Sequence, residues 1–130
     1  MNALEQAIEK ALQSQGDTQK ANKAYLELIK ANLIIPIEKY SDDDAPQVLY
    51  LNHEKNTFMP VFSNQQYLDD WAVEIKDRIH LLKVSGVDLL KNTGENISIC
   101  LNIGSPFYKE FNPSEIARMR SMIIKLFGET

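Results

Sequence analysis

The sequence predicts an α+β (mixed α/β) fold: a single mixed sheet of about five strands packed with helices and led by an N-terminal helical hairpin. Three observations predict it. Apolar residues recur at helical spacing over residues 4–28 and again over 116–127. Short branched or alternating runs stand at 33–37, 48–51, 58–62, 79–84 and 97–102. After the turn residues Glu54-Lys55-Asn56, helical and strand patterns alternate, as they do when helices cover a sheet.

Each element has a local cause. Residues 2–14 form a helix with Leu4, Ala7, Ile8, Ala11 and Leu12 on one face and Glu5, Glu9, Lys10 and Gln13 opposite. Gly16 stops it, and Asp17 or Thr18 caps a second helix reaching to about Asn32, with Ala21, Ala24, Tyr25 and Leu28 as its stripe. Leu33-Ile34-Ile35-Pro36-Ile37 reads as a strand whose proline places it at an edge or an end. A polar loop at 41–46 precedes two strands, 48–51 and 58–62, paired as an antiparallel hairpin. Ser63 or Asn64 caps a third helix that buries Tyr67, Leu68, Trp71, Ala72 and Ile75.

A strand at 79–84, a short helical turn at 85–90 and a strand at 97–102 follow. The last strand alternates strictly, as a half-buried strand does, with Cys100 beside Ser98 and Asn102 and opposite Ile97, Ile99 and Leu101. The final helix has the clearest start. Asn112 is the N-cap, Pro113 takes the first helical position and Glu115 closes a capping box. Ile116, Met119, Ile123, Leu126 and Phe127 line its apolar face, while Arg118, Arg120 and Lys125 bring positive charge toward its C-terminus.

Composition sets the class. A chain of 130 residues, 44% hydrophobic and 25% charged, is expected to fold as one domain, 1–130, around a real core. A net charge of -4 argues against a general nucleic-acid binder. One cysteine cannot form an internal disulfide, which fits a reducing compartment. The N-terminus lacks a signal-peptide pattern, and the longest apolar run is far short of the roughly 20 residues a membrane helix needs. The expected location is therefore cytoplasmic, with no membrane or nucleic-acid partner.

Candidate chemistry is sparse. A nucleophilic cysteine needs a base or positive charge nearby, and Cys100 is flanked by Ile99 and Leu101, which suits a small packed residue. His53 and His80 have no second ligand at metal spacing and read as surface or edge residues. Asp42-Asp43-Asp44 lacks the alternating ligands, central glycine and closing glutamate of a calcium loop and reads as solvated. Lys20, Lys23 and Lys30 offer either a small positive surface or a solvated face. No catalytic residue, metal site or cofactor is expected.

The most informative segment is Asn102-Ile103-Gly104-Ser105-Pro106, where a strand end presents backbone amides at a sheet edge, a place where α/β folds bind ligands. Asn102, Gly104, Ser105 and, from the short helix, Asp88 are the candidate binding residues.

Several runs, taken in order, resemble the N-terminal domain of the SseB (enhanced serine sensitivity) family. Phe58-Met59-Pro60-Val61-Phe62-Ser63, followed by a helix bearing Leu68 and Trp71, resembles its Pro-Val-Phe-Thr/Ser-then-helix signature. Val87-Asp88-Leu89-Leu90 is similar to its Leu-Leu turn, and Leu101-Asn102-Ile103-Gly104-Ser105 to its Leu-Asn-Pro-Gly strand end, with Ile103 where the family usually has proline. Phe111 and Pro113 to Ile116 resemble the start of its final helix. The resemblance implies a bacterial cytosolic protein with no established enzymatic activity.

The leading expectation is a non-enzymatic protein-binding or regulatory module. It would work through the sheet edge, the 102–106 loop or exposed apolar residues such as Tyr108 beside Phe107, with a homodimer as a further expectation. The alternative is an enzyme or small-molecule binder with a pocket near Asn102 to Ser105 and Asp88.

Overall fold

The side chains that begin each helix fix its direction in a computed structural model that describes residues 2–39 and 45–128. Helix α1 (Ala3–Ser14) opens with a full capping box: Asn2 Oδ1 accepts from Glu5 N, and Glu5 Oε1 accepts from Asn2 N. Helix α2 (Thr18–Lys30) is capped by Asp17, whose carboxylate accepts from Lys20 N at 3.0 Å. The two pack as the predicted hairpin.

Strands β1 (Asn32–Glu38), β2 (Leu51–His53) and β3 (Asn56–Val61) lead into α3 (Gln65–Trp71), capped by Asn64. A 3-10 turn at Lys76–Arg78 carries Ile75 into β4 (Ile79–Ser85). Helix α4 (Gly86–Asn92), β5 (Ile97–Leu101), β6 (Lys109–Phe111) and α5 (Pro113–Phe127) follow among the described residues. The Asn112–Glu115 capping box of α5 forms as the sequence predicts.

The α+β class holds, but the single mixed sheet of about five strands does not. The strands divide into an antiparallel pair, β1–β4, and a four-stranded sheet ordered β2-β3-β5-β6 in which β3 and β5 run parallel. Pro36 gives one reason. On the side of β1 that faces away from β4, Ile34 and Phe62 exchange both backbone hydrogen bonds at 2.9 Å. Two residues on, Pro36 has only a carbonyl to offer, which Leu49 N reaches at 3.2 Å, so no continuous ladder forms. The β6 strand is new, and the strand expected at 48–51 is displaced to Leu51–His53, sharing only Leu51 with it, while Val48 makes only an isolated bridge to Ile37.

Alternation along β1 feeds two cores. Leu33 and Ile35 enter the main one, built with Leu28, Leu90, Ile99, Leu101, Phe111 and Met119, beneath α1, α2, α4 and α5. Ile34 turns to a second cluster, where Phe62, Leu68, Ala72 and Ile79 pack under α3.

Three expectations about burial are corrected. Strand β5 is buried on both faces, because Ser98, Cys100 and Asn102 face protein instead of water. Leu126 and Phe127 are exposed at the end of α5, beyond the last buried residue of that helix, Ile123. Glu5 is buried, not solvated, for reasons found at the site below. The acidic run at 42–44 lies outside the described residues.

Gly86 marks the tightest approach. A Cβ there would stand 1.9 Å from the carbonyl oxygen of Leu28, at the point where Gly86 N donates to Ala31 O. Only a residue without a side chain lets α4 begin against the end of α2.

Candidate functional site

Strand β5 ends in a turn that a buried side chain locks in place. Asn102 has φ +56°, a left-handed backbone that asparagine tolerates better than most residues. Its carbonyl accepts from Ser105 N at 3.0 Å, and Gly104, at φ +85°, stands where a type II turn requires positive φ. The position before it, which in this turn type commonly holds proline, is Ile103. The turn forms here without that proline.

Asn102 is 0% exposed, so its side chain serves the interior. Its Oδ1 accepts from Ser63 N at 2.9 Å, and its Nδ2 donates to Ser63 Oγ at 3.0 Å. Ser63 Oγ in turn donates to Glu5 Oε2 at 2.6 Å, which also accepts from Asn64 Nδ2 at 3.0 Å. One chain of hydrogen bonds thus joins the caps of α1 and α3 to the end of β5. This is why Glu5 is inside: its carboxylate is shared between its own helix cap and the start of α3, and a buried polar group needs such partners. The signal was present in the sequence as Asn2 three residues before Glu5, the spacing of a capping box.

Outside this network the turn walls a cleft of about 370 Å³, lined by Tyr67, Asp70 and Trp71 of α3 and by Ile103, Gly104, Ser105 and Pro106. Each ring has a packed neighbour. Trp71 lies 5.5 Å from the Phe62 ring and Tyr67 6.0 Å from the Phe107 ring, centroid to centroid. A Cβ at Gly104 would stand in ordinary contact with Trp71 Cδ1, at 3.9 Å, so it is the positive φ and not a lack of space that calls for glycine here.

The four candidate residues therefore separate. Gly104 and Ser105 line this cleft, and Asn102 supports it from within. Asp88 is exposed on α4 and lines a different cavity of about 290 Å³, whose walls include Ile35, Val48, Met59, Leu82 and Leu89. Tyr67 and Trp71 share the cleft with the loop although sequence reading placed them in a core stripe. Their helical spacing could not show that they are only partly covered.

The reactive side chains are held elsewhere. Cys100 Sγ lies 3.8 Å from Tyr108 Oη, and burial pushes its thiol above the usual range. Tyr108 is itself pushed up to about 12, chiefly by desolvation, with Cys100 and Glu110 adding to it. His53 and His80 are exposed. Lys23 and Lys30 both contact Glu27 Oε1, at 2.8 and 3.4 Å, and the Lys23 hydrogen bond is the largest cause holding that carboxyl below its ordinary range. Among the described residues no group of three or more His, Cys, Asp or Glu side chains is placed to hold a metal ion. No described helix is long and apolar enough to cross a membrane.

The fold and the cleft define an α+β domain with a surface cleft walled by two aromatic side chains and a hydrogen-bonded turn. Residues 4–118 match the model of the SseB protein N-terminal domain, and the chain belongs to that family. Comparison with curated proteins and with solved structures returns no match.

Proposed function

We propose that this domain is a non-catalytic protein-binding module and that its contact site is the cleft between α3 and the 102–105 turn. One observation carries the reading: two aromatic side chains line an open cleft whose other wall is a turn fixed by buried hydrogen bonds. Aromatic residues dominate the anchors of protein interfaces, because they cover much area at little cost in side-chain entropy. A turn already held in its bound shape reduces what binding must spend on ordering. The packed position of Cys100 and the exposed histidines favour a role in contact over one in bond chemistry.

Site-specific photo-crosslinking in the native cell background tests it. A photoreactive residue replacing Ser105 is expected to give one discrete protein adduct, and the same residue replacing Lys10, exposed on α1, is expected to give none. Equal labelling from both positions, or none from position 105, would contradict the reading.

A further inference from the structure

The cleft has a charge preference as well as a shape. Asp70 is the one charged side chain among the described residues that line it. Its Oδ1 accepts from Gln66 Nε2 at 2.8 Å, and no described group bonds to Oδ2. Asp69 and Glu74 lie on the same stretch of chain, and the whole protein carries a net charge of -4.

Three classes of side chain could enter. An acidic one would meet Asp70 with like charge. An apolar one would cover the Asp70 carboxylate without pairing it, which is unfavourable. A cation gains twice from the α3 wall, from the negative ring faces and from the carboxylate. Between the two cations, the planar guanidinium stacks on an aromatic ring while keeping N–H donors in the ring plane for a carboxylate, which an ammonium cannot do.

Resting on the reading of this cleft as a protein-contact site, the geometry points to an arginine-bearing segment of a partner protein as its occupant, the guanidinium lying against Trp71 and pairing with Asp70. Trp71 is the only tryptophan in the chain, so its fluorescence reports on this cleft alone.

The test titrates the full chain with a short blocked peptide carrying one arginine, and with the same peptide carrying citrulline, the uncharged isostere. The arginine peptide is expected to give a saturable change in Trp71 emission, with citrulline weaker by about twofold to fivefold, the size expected of an exposed cation–π contact. Asp70→Asn, a change at an exposed position, is expected to weaken the arginine peptide by a similar factor while leaving the thermal midpoint in place. Equal titration by both peptides, no saturable response to arginine into the millimolar range, or indifference to D70N would each overturn the inference. A position-105 adduct on a partner segment without arginine would also overturn it while leaving the contact site standing. Loss of the adduct itself would remove the site.

Discussion

Tyr25 donates its hydroxyl hydrogen to Glu115 Oε2 at 2.7 Å, so the capping box of α5 is tied to the face of α2. Burial, reinforced by Glu115, pushes Tyr25 from 10.0 up to about 12. Tyr108 is raised to a similar value. A raised tyrosine pKa means that the folded state favours the neutral form. Its contribution is therefore fully present below the unfolded value near 10 and is lost as pH rises through about 12. Urea denaturation should show a flat profile through neutral pH and a decline that begins near pH 9.0 with the raised Cys100 thiol and steepens above about pH 10. Tyr25→Phe should cost about 1 kcal/mol at neutral pH for the lost hydrogen bond and make the alkaline decline shallower.

Gly86→Ala should destabilise by about 3 kcal/mol or more, because the new methyl group meets a backbone carbonyl that cannot swing aside. The urea midpoint checks this. Gly94→Ala is the control: the nearest atom to its Cβ is Ile97 Cδ1 at 3.1 Å, a side-chain end that can shift. A similar loss at both positions would contradict the role given to Gly86.

At position 102 two costs can be separated. Asn102→Ala loses the bonds to Ser63 and keeps a side chain on a left-handed backbone, for an expected loss of about 2–4 kcal/mol. Asn102→Gly loses the same bonds but relieves the backbone, so it should be less destabilised by about 1 kcal/mol. Chemical denaturation of the pair reads the difference directly. If glycine proved as costly as alanine, the left-handed backbone would not be the second cost.

Cys100 should react with a thiol reagent only as fast as the domain opens. Its side chain is buried, and burial holds the thiol protonated above its ordinary range. The labelling rate should accelerate sharply across the urea transition. Rapid labelling of the folded protein at neutral pH would contradict this placement.

Local chemistry was legible in the sequence, and long-range pairing was not. The cap at Asn112 was readable, and the cap of α2 was narrowed to Asp17 or Thr18, because a cap is a rule about residues three positions apart. Strand β6 escaped because three residues, Lys109–Phe111, carry too little alternation to recognise. The split of the sheet arises because β1 meets the end of β3 through the single Ile34–Phe62 bridge and Pro36 stops the pairing from continuing, and no local pattern encodes that register. The candidate loop was found, but its parts were not sorted. Nothing in Asn102 itself distinguishes a side chain that faces a ligand from one that holds Ser63. The aromatic wall at Tyr67 and Trp71 had the spacing of a core stripe, and only the three-dimensional path of the 102–106 segment leaves it partly open.

Solute quenching of Trp71 fluorescence tests the contact site most directly. The protein captured from position 105 would be added at saturation and the acrylamide quenching constant measured with and without it. The account predicts a clear fall in that constant as the partner covers the indole. A complex that forms while Trp71 remains as accessible as before would contradict it.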